Sequence, residues 1–301
     1  MPEPLVVSHT PRVSYVVLSR NSAAYIERCL RSLDVQNVLP GGDEIWVVDN
    51  GSTDGTGEVL ARFAGTRPWV HTIALDRNYG TTRSRNLAVA RARGGYIAFV
   101  DSDAELPAGT IDRLIATASQ SARAGIVAPR LNYPDGRLQK SVDVFPTIAR
   151  KIQRRLALRQ MEAAERPRAG VVEVDYAIAA CWLMPRDAVD AVGPLDEAIF
   201  YAPEDVDYCI RMWAAGYRVL YDSDAIAIHH AQEISRTLIP RRAAFSHAAG
   251  LVYLFRKHRY GFGRARLYRR INRLRGSAPV GALANFSEGE PAPVERARRI
   301  T

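Results

Sequence analysis

Three short stretches of this chain carry residue types that could do chemistry. In "GYIAFVDSDAE" (95–105) an apolar run ends on Asp101 and Asp103. In "PEDVDYCIR" (203–211) the acids Glu204, Asp205 and Asp207 crowd together. In "IAIHHAQEIS" (226–235) a second apolar run ends on His229 and His230. Two carboxylates at the end of a core strand repel each other, and desolvating them is costly unless something positive compensates. A hard divalent cation such as Mg2+ or Mn2+ is one such group, and it commonly arrives with a diphosphate. The plainer account is a solvated strand end that caps the next helix. Glu204, Asp205 and Asp207 likewise suit a helix N-terminus, where acids meet the positive end of the dipole and Asp207 pairs with Arg211 at i,i+4. Their chemical reading is a general base, which needs a carboxylate beside the reacting hydroxyl. A histidine at a strand end is structural or, in a chain that holds a divalent ion, a ligand.

These residues need elements to position them. "VSYVVLS" (13–19), "EIWVVD" (44–49), "VHTIAL" (70–75), "YIAFVD" (96–101) and "AGIVAP" (124–129) read as buried strands. Amphipathic helix patterns lie between them. One is capped by Ser22 and carries Ile26, Cys29, Leu30 and Leu33; a second is capped by Ser52 or Thr53 and runs through Leu60 and Phe63. A third spans about Thr82 to Arg93, and Pro107 opens a fourth at its first turn. Such alternation predicts right-handed βαβ units and a mostly parallel α/β sheet covered on both faces. Ligands of these sheets bind beyond the carboxyl ends of the strands. The polar residues at those ends are Ser19, Arg20 and Asn21; Asp49 and Asn50; Asp76, Arg77 and Asn78; and Asp101, Ser102 and Asp103. All are expected on one edge, facing a shared crevice.

The pattern changes after about residue 130. "NYPDGRL" signals a turn, and 147–165 is basic and helix-prone. "VVEVDYAIAACWLMP" (171–185) reads as one or two strands, 203–217 as a helix ended by Gly216, and "YRVLYD" and "AIAIHH" as two short strands. Residues 264–275 place Leu267, Ile271 and Leu274 at helical spacing amid arginines, and 277–301 read as a disordered tail. The expected organisation is therefore 1–130, 131–240, a basic helical extension over 241–276, and the tail.

A chain of 301 residues with 47% hydrophobic content can bury a full core. No apolar run approaches the roughly 20 residues needed to span a bilayer. The opening MPEPLVVSHTPRVS has no basic region followed by an apolar one, so no signal peptide is expected. Cys29, Cys181 and Cys209 are odd in number and far apart, which suits a reducing cytosol and neither a disulfide framework nor a zinc cluster. Charge is uneven. Between Glu233 and Glu288 there are twelve Arg or Lys and no acid, so the formal net charge of +9 becomes −3 without them.

In this order the motifs resemble the family-2 inverting glycosyltransferases with the GT-A fold, over about residues 13–240. "LSRNSAAYIERCLRSL" is similar to the family's first strand, loop and helix, and "EIWVVDNGSTDGT" to its nucleotide-binding second strand. "NYGTTRSRNLAVARARGGYIAFVDSD" is similar to the block leading into the metal-binding Asp-x-Asp, with Ser84 where alanine is usual. "LNYPDGRLQKSVDVFP" and the run from Ala180 to His230 resemble the rhamnosyltransferase-type branch that builds bacterial surface polysaccharides. The resemblance implies Asp205 as catalytic base and Glu204 as acceptor-binding or base-positioning residue. It implies Asp101, Asp103 and His230 as ligands of Mg2+ or Mn2+. His230 is preferred to His229 because it lies five residues before Ser235, as in the branch's His-x-x-Gly-x-Ser. Glu233 replaces that glycine, and Pro203 replaces the usual aromatic or Met before Glu-Asp. Ser19, Asn21, Asp49, Asn78, Arg85, Asp101 and Ser102 are the implied nucleotide-sugar contacts. Arg85 either meets the diphosphate or forms an internal ion pair with Asp101.

The implied substrates are a nucleoside-diphosphate sugar, dTDP-rhamnose by branch resemblance, and a lipid-linked or polysaccharide acceptor. The implied location is cytoplasmic, peripheral on the inner face of the plasma membrane, with a homodimer allowed for. The basic helix at 264–275 either packs its apolar stripe on the body or lies on anionic lipid. No nucleic-acid partner is expected, because recognition motifs and a stacking set are missing. A dinucleotide-dependent oxidoreductase is excluded, since "VLSRNSAAYIE" lacks the Gly-x-Gly-x-x-Gly turn. The remaining alternative is a non-catalytic basic scaffold with a degenerate transferase fold.

Overall fold

A computed structural model of the chain describes residues 10–36, 42–164, 170–230 and 241–274. Strand alternation builds its core. In β1 (Val13–Ser19), Val13, Tyr15 and Val17 join one buried cluster and Val16 the other, so the strand is covered on both faces. β4 (Tyr96–Asp101) repeats this, with Ala98 and Val100 on one side and Ile97 and Phe99 on the other. β2 (Glu44–Asp49) and β3 (Val70–Ala74) extend the parallel half outward from β1.

The far side of the sheet is mixed. β10 (Cys181–Pro185) enters antiparallel between β4 and β6 (Ala124–Asn132), and β11 (Arg218–His229) runs parallel to β6. β5 (Ala104–Glu105) and β8 (Val171–Glu173) pair with β11, giving the order β3-β2-β1-β4-β10-β6-β11-β5 with β8 beside β11. A separate pair joins β7 (Val142–Asp143) to β9 (Tyr176–Ala177). The stretch 171–185 thus forms three short strands, not one or two. Conversely, the two short strands expected near the chain's histidines are one. β11 slips register between Asp222 and Ile226, where buried Asp222 accepts bonds from Arg113 and Thr117 of α4 (Thr110–Gln120). Because β6, β10 and β11 complete the sheet begun by β1–β4, the two expected halves share one sheet and contribute to both buried clusters.

Helix α1 (Ile26–Asp34) buries Ile26, Cys29, Leu30 and Leu33, as their spacing predicts. Its expected cap differs. The Ser22 side chain turns away from the helix and shares a 2.8 Å hydrogen bond with Ser102. α2 (Thr56–Ala64) begins after Gly55, and Asp54 accepts from the Thr56 amide in place of a Ser52 or Thr53 cap. α3 (Thr81–Val89) follows β3. α5 (Ile148–Ala164) and α6 (Arg186–Val192) precede α7 (Glu204–Ala214), which is followed by Gly216 at φ 84°.

The basic extension forms α8 (Arg241–His258) and α9 (Ala265–Leu274). Leu267, Tyr268 and Ile271 are buried in the same cluster as Tyr208 and Trp213 of α7, while Leu274 is exposed. Asp207, fully buried, accepts from Lys257 and His258 at 2.9 and 2.7 Å. Leu267 and Ile271 of the expected stripe therefore pack on the body, and Leu274 does not. Among the described residues no helix is long and apolar enough to cross a membrane. The expected tail at 277–301, and Glu233 and Ser235, lie outside the described residues.

Candidate functional site

Parallel register assembles the edge. Ser19 stands opposite Asp49 across β1 and β2, and Leu18 opposite Asp101 across β1 and β4. Antiparallel pairing of β11 with β5 sets His229 against Ala104, next to Asp103. Ligating atoms of Asp101, Asp103 and His229 all lie within 4.8 Å of one another, and His229 Nε2 is 3.3 Å from Asp103. Two carboxylates and an imidazole suit a hard divalent ion.

The histidine differs from the expected one. His230 follows the end of β11; its amide donates to the Asp103 carbonyl, and its ring turns to Glu105 and Arg28. Adjacent residues of an extended chain project to opposite sides, so only one of the pair can face the aspartates. That one is His229. Its Nδ1–H donates to buried Gln139 at 2.9 Å, which leaves Nε2 facing the carboxylates.

Arg85 answers the repulsion between the aspartates. It is almost fully buried on α3, and its guanidinium donates to Asp101 at 2.6 Å, to the Ala179 carbonyl at 3.1 Å and to Glu204 at 3.4 Å. It lies beneath the crevice and joins the acids of β4 to those of α7. Of its two expected contacts, the internal ion pair with Asp101 is formed. Loss of water raises the Asp101 carboxyl above its ordinary range, opposed by Arg85 and reinforced by Asp103. On α7, loss of water and then the charge of Asp205 push Glu204 up to about 8 against the pull of Arg85. Asp205 is raised by the same desolvation, opposed first by Lys151 of α5 and then by the Val206 N–H, which donates to it at 2.7 Å. Adjacent carboxyls held in different fields are a means of separating a protonated from an ionised role.

Several residues expected at the nucleotide are already engaged within the loops. Asn21, at φ 48°, accepts from the Thr53 amide, and Asn78 accepts from Asn50 and from the Gly80 amide. Ser102 is taken by Ser22. Ser19 is different: its hydroxyl is buried with no hydrogen-bond partner among the described residues. Asp49 accepts the Ser52 amide through one oxygen.

Family-wide comparison agrees with this architecture. The pattern described as "Glycosyl transferase family 2" matches residues 14–193. The chain belongs to glycosyl transferase family 2. It is 28% identical over 267 residues to the N-acetylglucosaminyl-diphospho-decaprenol L-rhamnosyltransferase of Mycobacterium tuberculosis, covering 81% of this chain and 84% of that one. In three dimensions it is similar to S. aureus TarS 1–349 in complex with UDP-GlcNAc, with TM-score 0.60 at 18% identity over 87% of this chain and 72% of that one. It is also similar to the mannosyltransferase PcManGT from Pyrobaculum calidifontis in complex with GDP-Man and Mn2+. There the TM-score is 0.56 at 19% identity, over 89% of this chain and 66% of that one. The fold is GT-A and the chain is a glycosyltransferase.

Three positions in this glycosyltransferase escaped sequence reasoning. Gln139 orients His229 from ninety residues away, and the resemblance of "LNYPDGRLQKSVDVFP" gave it no role. Asn86 clamps Leu195 through both its amide atoms, at 2.9 Å each, fixing the loop that leads into Glu204 and Asp205. Gly80, at φ 86°, lets Phe200 of that loop approach so closely that a Cβ would lie 2.3 Å from its carbonyl oxygen. The Asn-x-Gly and Arg-Asn of the quoted block were the available signals.

Proposed function

We propose that this family-2 glycosyltransferase inverts the anomeric centre while moving a sugar, best matched by dTDP-rhamnose, to a hydroxyl of a lipid-linked or polysaccharide acceptor in cell-envelope glycan synthesis. The observation that carries the reading is the joining of two acid sites by one buried arginine. Arg85 holds Asp101, beside Asp103 and His229, and also Glu204, beside Asp205. The first site is where Mg2+ or Mn2+ would sit, supplying positive charge against the departing diphosphate. The rhamnosyl donor rests on the mycobacterial relative, and a divalent ion also on the Mn2+ named for PcManGT.

The residues divide the work. Ser19 and Asp49 flank the position of the nucleotide base at the ends of β1 and β2. Asp205, whose charged form Lys151 and Arg154 favour against the desolvation that raises it, takes the proton of the acceptor hydroxyl as its oxygen bonds to the anomeric carbon. The bond from that carbon to the diphosphate breaks on the opposite face. Glu204, protonated near neutral pH, offers a hydrogen bond to the acceptor and adds no second negative charge. Work on a lipid-linked acceptor implies a peripheral position on the inner face of the plasma membrane.

The test is a panel of nucleotide-sugars scored by thermal shift with and without Mn2+, followed by NMR of the product's anomeric configuration. The expected result is stabilisation by dTDP-rhamnose that needs Mn2+ and disappears in Asp103→Ala. A preference for another donor would overturn the rhamnosyl assignment, and a product of retained configuration would overturn the base assigned to Asp205.

A further inference from the structure

Helices α8 and α9 enclose a groove of about 690 Å3 whose lining contains no acid. Arg259, Arg266, Arg269, Arg270 and Arg273 face it, together with Lys257 and His258. The last two are committed to Asp207 and Asp196 on the body. The arginines are not so committed. Among the described residues Arg259, Arg266, Arg269 and Arg273 make no ion pair, and all four are exposed; Arg270 meets only the Lys257 carbonyl. On α9 they recur at i, i+3, i+4 and i+7, the spacing at which like charges on a helix oppose one another. The inward face of the same helix buries Leu267, Tyr268 and Ile271, so packing accounts for these three but not for this outward array.

Apolar residues stand exposed beside the groove. Phe262, in the turn between α8 and α9, is 91% exposed. The preceding Gly261 carbonyl accepts from the Ile148 amide, which ties this turn to the start of α5. From there Ile148, Ile152 and Leu156 continue at i, i+4 and i+8, all exposed. A site for free phosphate has no use for such a row. A basic groove beside exposed apolar side chains matches the headgroup and acyl layers of a bilayer.

We propose that the α8–α9 groove binds phosphate headgroups of anionic lipid, with Phe262 and the outer row of α5 entering the interface. The surface deepens the function proposed above: α5 also carries Lys151, which acts on Asp205, so docking this face sets the base close to a lipid-borne acceptor. It rests on that reading for its purpose and not for its test.

The experiment is co-sedimentation of the full chain with vesicles of mixed phosphatidylglycerol and phosphatidylcholine, and with phosphatidylcholine alone. Binding should require the anionic lipid and weaken with salt. The triple variant Arg266→Gln, Arg269→Gln, Arg273→Gln should bind on the order of 100-fold more weakly. Phe262→Ser should lose roughly tenfold while keeping the salt dependence. Retention of the Mn2+-dependent donor shift in these variants separates a lipid defect from a failed transferase reading. Should the triple variant not fold, Arg273→Gln alone and the salt series of the native chain carry the test. Equal binding to neutral vesicles, binding indifferent to the arginines or to salt, or tighter binding of a single-stranded RNA oligomer would overturn the proposal. So would arginine-dependent stabilisation by inorganic diphosphate in a protein that ignores vesicles.

Discussion

Glu204→Gln isolates the energetic cost of crowding two acids at the start of α7. Glutamine keeps the shape and the hydrogen bonding of a protonated Glu204 but cannot ionise. The carboxyl sits with only 12% of its side chain exposed and is pushed from 4.5 to about 8. Its folded value lies above its unfolded one, so between these two pH values the unfolded chain holds fewer protons than the folded one. Native stability therefore falls as pH rises through this window, and the group adds no further slope above about pH 8. The whole gap corresponds to on the order of 5 kcal/mol. Water entry and movement of Arg85 relieve part of it, so we expect roughly 2–3 kcal/mol. In a chain of this size that is on the order of 5–10 °C in Tm. The assay is thermal unfolding of native and variant chains across the window, without nucleotide or metal. Tm of the variant minus Tm of the native chain should grow steadily towards pH 8 and then level off. A difference that is constant or shrinks with rising pH would refute the placement of a desolvated Glu204 beside Asp205.

Other expectations follow from the same geometry. Asp205→Asn should lower kcat by about 10^3 or more while leaving donor-induced thermal shifts intact, as measured by product formation and fluorimetry side by side. His229→Ala should abolish the Mn2+-dependent part of the donor shift and His230→Ala should preserve it; the reverse would restore the histidine expected from spacing. Arg85→Met leaves Asp101 and Glu204 without their shared cation and should cost about 3 kcal/mol in urea unfolding. Chelation of divalent ions should abolish donor binding but leave the nucleotide-free Tm unchanged, because Arg85 already compensates Asp101 within the fold.

What could be read from the sequence was what depends on local pattern. Strand periodicity located β1 to β4, and the parallel rule then put Ser19, Asp49 and Asp101 on one edge before any register was known. What could not be read depends on partners distant in the chain. Choosing between His229 and His230 requires knowing that β11 pairs with the two-residue strand β5, a contact with no periodic signature. Counting from Ser235 gave the neighbour instead. The stripe of α9 had two physically valid destinations, and only the burial of Leu267, Tyr268 and Ile271 against α7 selects the body. Arg85 is the sharpest case. An arginine sixteen residues before an aspartate serves as a ligand contact or an internal pair, and the internal pair forms because Arg85 is buried against both acid sites. That burial also resolves why a core strand can end on two carboxylates. One of them is neutralised from below by the protein itself, and the other faces a histidine whose orientation Gln139 fixes. These side chains are thereby ordered within the fold itself, so a ligand bound at this edge would spend little on ordering them.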